Sequence, residues 1–173
     1  MKIALIALTL VFFVVLVVGL FLPTHFVRSR SITIQADVNR VHAVVADLER
    51  WPDWTPSEKD QALTTALGPI TSGVGATRTW TGTDRTEELK LVTADPASGL
   101  TYEMTYRRGS ESTVMKGAIA YRSNGAATDV TWSIEGDMPV PILGGYVVWA
   151  GRGAVDAMFD KGLAKLKRVV EMQ

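Results

Sequence analysis

The run IALIALTLVFFVVLVVGLFL, Ile3 to Leu22, is twenty residues long without a charge, and Thr9 is its only polar side chain. A helix of that length rises about 1.5 Å per residue and reaches roughly 30 Å, the depth of a bilayer hydrocarbon core. It has no polar stripe of the kind a helix packed on a soluble core shows. It is also longer than the ~7–15-residue apolar region of a cleaved secretory signal and is not followed by a small-residue cleavage site. The sequence therefore predicts an uncleaved, single-pass transmembrane anchor over residues 1–22. Lys2 flanks it on one side and Arg28 and Arg30 on the other, so the positive-inside rule leaves the side of the soluble part open. Pro23 ends the helix, and PTHFVRSR, residues 23–30, is expected to be a juxtamembrane linker with His25 an ordinary interfacial polar residue.

From Ser31 to Gln173 the pattern is that of one α+β domain, and a composition of 47% hydrophobic and 21% charged residues suits a single core. SITIQA alternates as a half-buried strand does. Asp37 or Asn39 can cap a helix in which Val41, Val44, Val45 and Leu48 recur at helical spacing, with His42 off that stripe and expected in solvent. In LERWPDWTPSEKD, Pro52 disfavours the helical state of Trp51, so a break and a second short helix are expected there, closed by Pro56.

Short strands separated by turn signals follow. QALTTALGPI, GATRTWTGT and TEELKLVTADPASG precede LTYEMTYRRG, the clearest alternation in the chain. STVMKGAIAYRSNG then turns through Asn124-Gly125 into ATDVTWSIEGDM. Strands so closely spaced, with no helices between them, predict an antiparallel meander with one apolar face. Over the last thirty or so residues, Val155, Phe159, Gly162/Leu163, Leu166 and Val170 form the stripe of a long helix that must lie on that face.

Lysine plus arginine and aspartate plus glutamate number 18 each, so no net field attracts nucleic acid. The chain has no cysteine, which excludes thiolate nucleophiles, cysteine-based zinc sites and iron–sulfur clusters. The glycines of TSGVGATR lead into a strand rather than a helix and make no phosphate loop. His42 has no neighbouring nucleophile, and no metal-ligand cluster or cofactor motif is present. Glu87, Glu103 and Glu135 lie on strands. Alternation points Glu103 and Glu135 away from the apolar face, so neither is expected to act as a buried acid or base. Enzyme chemistry is the weaker expectation.

SITIQADVNRVHAVVADLERWPDWTPSEKD, GVGATRTWTG and TDVTWSIEGDMPVP resemble the START-like superfamily, in particular the bacterial SRPBCC or polyketide-cyclase/dehydrase-like proteins, over about residues 30 to 173. A hydrophobic anchor ahead of such a domain resembles one subgroup of them. The resemblance implies a helix-grip fold: about seven curved antiparallel strands around a long C-terminal helix, with a cavity between them for a hydrophobic small molecule or lipid. It also implies a bacterial inner membrane as the location. By alternation, Trp80, Tyr102, Met104, Tyr106, Met115, Ile119, Val130, Trp132 and Ile134 are candidates for the concave face. Trp149, Met158 and Phe159 are expected to face them from the helix, with Trp54 as a lid. Gly117, in mid-strand, marks either room at a cavity mouth or a bulge. The alternatives are a cyclase- or dehydratase-type enzyme and a protein-interaction module.

Overall fold

A computed structural model describes residues 2–55 and 63–172, with the side chains of Ile3 and Leu5 outside the description. Pro56 to Asp60, the closing part of the tryptophan-proline segment, lies outside the described residues. The elements in chain order are α1 (Lys2–Phe21), β1 (His25–Ile34), α2 (Val38–Val45), α3 (Trp51–Trp54), β2 (Thr64–Leu67), β3 (Thr77–Thr81), β4 (Arg85–Asp95), β5 (Gly99–Arg108), β6 (Glu111–Asn124), β7 (Ala127–Asp137) and α4 (Gly144–Glu171). Among the described residues the strands form one antiparallel sheet of seven in the order β1-β7-β6-β5-β4-β3-β2. Its inner face takes the buried stripe of α4: Phe159, Gly162, Leu163, Leu166 and Val170. This is the expected meander with the long helix across it.

Residues His25 to Arg30 are not a linker. They form the first half of β1, pairing with β7 from His25↔Asp137 to Arg30↔Trp132. The strand was hidden because two of its three inward positions there, after Phe26, are Arg28 and Arg30, whose charge is met by α4: both reach Asp156, and Arg30 also reaches Asp160 at 3.5 Å. An inward-facing arginine with a carboxylate opposite it is as compatible with a strand as a valine.

Asp37 caps α2 by accepting hydrogen bonds from the backbone N–H groups of Asn39 and Arg40. Asp37→Ala should lower stability by about 1 kcal/mol in thermal or denaturant unfolding, the usual worth of such a cap. α3 starts with Pro52 in its first turn, where a missing N–H costs nothing. Trp51 donates its indole N–H to the Val45 carbonyl at 2.8 Å, satisfying one of the orphan acceptors at the end of α2.

His42 departs from the solvated position expected of it. It is half-buried, its ring stands edge-on to Tyr121 at 5.9 Å, and Nδ1 is buried without a partner among the described residues. Burial lowers its pKa, partly opposed by the charge of Asp95, and so favours the neutral ring.

Among the described residues no helix is long and apolar enough to cross a membrane. α1 is nevertheless a helix of 20 residues. Its last turns also touch the domain: Tyr146 Oη donates to the Val15 carbonyl at 2.8 Å, and Gly19 is buried against Ile142 and Tyr146.

Candidate functional site

The inner face divides into a filled part and an open part, and side-chain volume on α4 decides which is which. Under the C-terminal half of α4 the aromatic rings fill one another. Tyr102 meets Trp51 edge-on at 5.7 Å, Trp51 meets Trp54 at 5.1 Å, and Trp54 meets Trp132 at 5.2 Å. Trp132 in turn stacks on Phe159 at 4.5 Å. Trp132 Nε1 donates to Tyr102 Oη at 2.8 Å. Burial pushes the Tyr102 hydroxyl up to about 12, so it stays protonated.

Two glycines allow this closeness. A Cβ on Gly117 would overlap the Tyr102 ring, and one on Gly162 would come within 2.6 Å of Trp132 Cζ3. Gly117 is no bulge, since Tyr102 lies across it in register and fills the space over it.

The N-terminal half of α4 is built differently. Between Trp149 and Met158 it runs Ala150-Gly151-Arg152-Gly153-Ala154-Val155-Asp156-Ala157, mostly small residues. Here a cleft of about 340 Å³ opens between α4 and the start of β1, lined by His25, Phe26, Val27, Arg28, Met138, Val147, Val148, Gly151, Arg152 and Val155. Its walls are mainly aliphatic and aromatic, with cations at the rim, the composition expected of a site for an apolar molecule with a polar end. A Cβ on Gly151 would meet nothing within 4 Å, so the cleft reaches the helix backbone. Phe26 continues inward across Gly136, where a Cβ would stand 3.4 Å from the Phe26 ring and 2.8 Å from Met115 Cγ.

The ten expected site residues are distributed accordingly. Trp54, Trp80, Tyr102, Trp132 and Phe159 are buried in the core. Met104, Tyr106, Met115 and Met158 are half-buried, and Met115 packs over Gly136 beside Phe26. None of the ten lines the cleft itself. Trp149 does not face the sheet: it is 66% exposed, one position off the helical stripe that contains Val148. Trp54 is closed on both sides by tryptophans rather than standing as a lid. Its indole N–H, like that of Trp80, is buried with no acceptor among the described residues.

Phe26, Val148 and Gly151 were missed by sequence reasoning, the first because β1 begins earlier than its alternation suggests. The glycine and alanine run of α4 was the available signal for the open half. Arg78 was also unexpected: it is only 6% exposed, donates to the Leu48 carbonyl at 3.1 Å and lies 5.3 Å from the Trp80 ring.

The strand carboxylates lie away from this cleft. Glu103 and Glu135 are exposed on the outer face, where Lys116 sits in register between them. Such cross-strand pairing explains them as sheet surface. A larger depression of about 430 Å³ covers this outer face. Its charged floor on an open sheet suits an apolar guest less than the cleft does. Glu87 is on the inner face but pairs with Arg85 at 3.3 Å.

The cleft is held shut on one side by Arg28, which donates through Nε to Asp156 at 2.9 Å. The Arg28 hydrogen bonds and the Arg28 and Arg30 charges lower the Asp156 pKa. A carboxylate whose folded pKa is depressed stabilises above the unfolded value, about 4, and loses that contribution as pH falls through the folded pKa. Asp156→Asn should therefore speed amide exchange over the first half of α4 near neutral pH, and the difference from wild type should vanish in acid.

A curved antiparallel sheet gripping a long C-terminal helix, with an apolar cleft between them, defines a helix-grip fold. The profile of the family described as polyketide cyclase/dehydrase and lipid transport matches residues 25–171, and the chain belongs to that family. Among solved structures, an uncharacterised protein from Rhizobium leguminosarum superposes with a TM-score of 0.61 at 15% identity, over 86% of this chain and 96% of that one. A Chromobacterium violaceum protein gives 0.57 at 14% identity, over 84% and 96%. DynU16, from the dynemicin biosynthetic locus, gives 0.56 at 14% identity, over 84% of this chain and 47% of its own. These likenesses concern the fold. No curated protein matches.

Proposed function

We propose that the protein holds a hydrophobic small molecule or lipid in the cleft between β1 and the first half of α4, and that α1 anchors it in a membrane. The observation that carries the binding role is the 340 Å³ cleft itself, aliphatic in its walls and open down to Gly151. The family description, which includes lipid transport, agrees with it. Anchoring is supported by the uncharged run Ile3–Leu22 and by the exposure of Leu8, Leu10, Phe12, Phe13, Leu20 and Phe21. Side chains so apolar on every side of a helix are stable in lipid rather than water. A bacterial inner membrane is the proposed location.

The test is purification of the full chain in mild detergent, exchange into a lipid-free amphipol, and mass spectrometry of what stays bound. One apolar molecule retained per chain is expected. A chain that retains none contradicts the binding role.

The cyclase-type alternative has one observation in its favour. His25 Nδ1 stands 3.3 Å from Asp137 Oδ1 at the rim of the cleft, a pair able to move a proton. If that chemistry operates, His25→Ala abolishes turnover of a bound polyketide while leaving its binding intact; unchanged turnover would dismiss it.

A further inference from the structure

We infer that the start of α4, with the turn before it, is a seat pressed into the headgroup and outer acyl layer of a phospholipid bilayer, so that the cleft opens toward lipid. This rests on the anchor role proposed above for α1. The decisive geometry is how far the domain reaches along that helix. Tyr146 bonds the carbonyl of Val15, Ile142 presses on Gly19, and Gly145 abuts Leu22. From Val15 to Leu22 is about 10 Å along a helix. If the bilayer took in α1 only as far as Val15, the thirteen residues from Ile3 would supply about 20 Å, too little to span. Immersing the whole run takes Ile142 to Tyr146 down with it.

That segment is suited to immersion. Met138 to Gly151 carries no charge. Val140, Leu143 and Val147 are exposed along with Trp149, and Leu143 is 55% exposed. Trp149 has the amphipathic ring that settles at the headgroup level, Tyr146 is carried deeper with its hydroxyl paired to the Val15 carbonyl, and Arg152, the first charge, can extend to phosphate. The backbone is committed to the arrangement: Ile142, a β-branched residue, adopts φ 63, the position in which its carbonyl packs on Gly19. The occupant is lipid rather than a protein because consecutive positions of α1 from Leu10 to Val15 are all exposed and apolar. A protein partner on one side leaves the other sides wet, whereas a bilayer covers all of them together with the seat. Val147, Val148 and Gly151 belong both to the seat segment and to the cleft wall, so a ligand drawn from the bilayer crosses little water.

The chain has no cysteine, so single substitutions label uniquely. Val11→Cys in α1, Leu143→Cys and Val147→Cys in the seat, and Asn124→Cys at the far end of the sheet would each carry an environment-sensitive fluorophore. The full chain would be placed in vesicles of phosphatidylcholine and phosphatidylglycerol, with spin-labelled lipid or aqueous iodide as quencher. Lipid should quench the probes at 11, 143 and 147, and iodide alone the probe at 124. If 11 is quenched by lipid but 143 and 147 by iodide, the seat is wrong while the anchor stands. If 11 is also quenched by iodide, both fail. Probes at 143 and 147 shielded from both quenchers would mean that protein, such as a second copy, covers the patch, and would overturn the lipid seat. As a label-free counterpart, brominated lipid should quench wild-type tryptophan emission, and Trp149→Phe should lose most of that quenching, since the other four tryptophans are buried.

Discussion

Gly117→Ala should destabilise the domain by about 2–3 kcal/mol, the cost of forcing an extra carbon into a well-packed core. The direction is the informative part. Alanine for glycine within a strand ordinarily helps by about 0.5–1 kcal/mol, because glycine loses more backbone freedom on folding. Here the new Cβ would coincide with the Tyr102 ring. That ring cannot swing aside cheaply, since it lies against Trp51 and accepts the Trp132 N–H at 2.8 Å. Moving it would leave a buried indole N–H unpaired, itself a loss of about 1–3 kcal/mol. Thermal unfolding of the full chain measures the effect. Pairing the change with Tyr102→Ala should show a coupling of about 1–3 kcal/mol, because the second substitution empties the space the first one needs. A Gly117→Ala protein as stable as wild type would mean that Tyr102 does not lie across the strand.

Gly151→Leu should have two effects of opposite sign. In the middle of a helix, leucine is favoured over glycine by up to about 1 kcal/mol. The site has room, since a Cβ there meets nothing within 4 Å. The protein should therefore be slightly more stable. The leucine side chain, however, occupies the cleft between Phe26 and Val155, and an apolar guest loses the space it would fill. Retention of an apolar ligand should fall by roughly tenfold or more, the loss of about 1.4 kcal/mol or greater in binding. Greater stability with weaker binding separates a blocked site from a damaged fold, and mass spectrometry of retained ligand together with the melting temperature reads both.

Much of the architecture was legible because it rests on periodicity. The alternation of Leu100, Tyr102, Met104 and Tyr106 places β5. The Asn124-Gly125 turn precedes β7, with Gly125 at φ 64. The stripe from Val155 to Val170 shows which side of α4 meets the sheet. Where periodicity failed, a charge or a ring had found a partner far away in sequence. Arg28 and Arg30 conceal the start of β1 because the carboxylates that receive them are on α4. His42 looked solvated because Tyr121, the ring it touches, is a strand residue nearly eighty positions later.

The site was legible only in outline. An inward-facing aromatic is equally suited to line a cavity or to fill it, and the difference depends on the residues opposite. Trp132 fills its space because Phe159 and Gly162 bring α4 down onto it. About two turns before Phe159 on the helix, Gly151 leaves the space open. Trp149 shows the related difficulty of helical phase, since Val148 beside it faces the cleft while Trp149 faces outward. A register error of one residue moves a side chain by about 100° around the helix.

An apolar guest is proposed to occupy the space between β1 and the first half of α4. Photocrosslinking tests it most directly: a diazirine-bearing fatty acid added to the full chain in vesicles, irradiated, with adducts mapped by peptide mass spectrometry in wild type and in Gly151→Leu. Adducts at Phe26, Met138, Val148 and Val155 are expected in wild type and should disappear in Gly151→Leu, while adducts on α1 persist in both. Labelling confined to α1 and the exposed seat, or cleft adducts indifferent to the leucine, would contradict the claim.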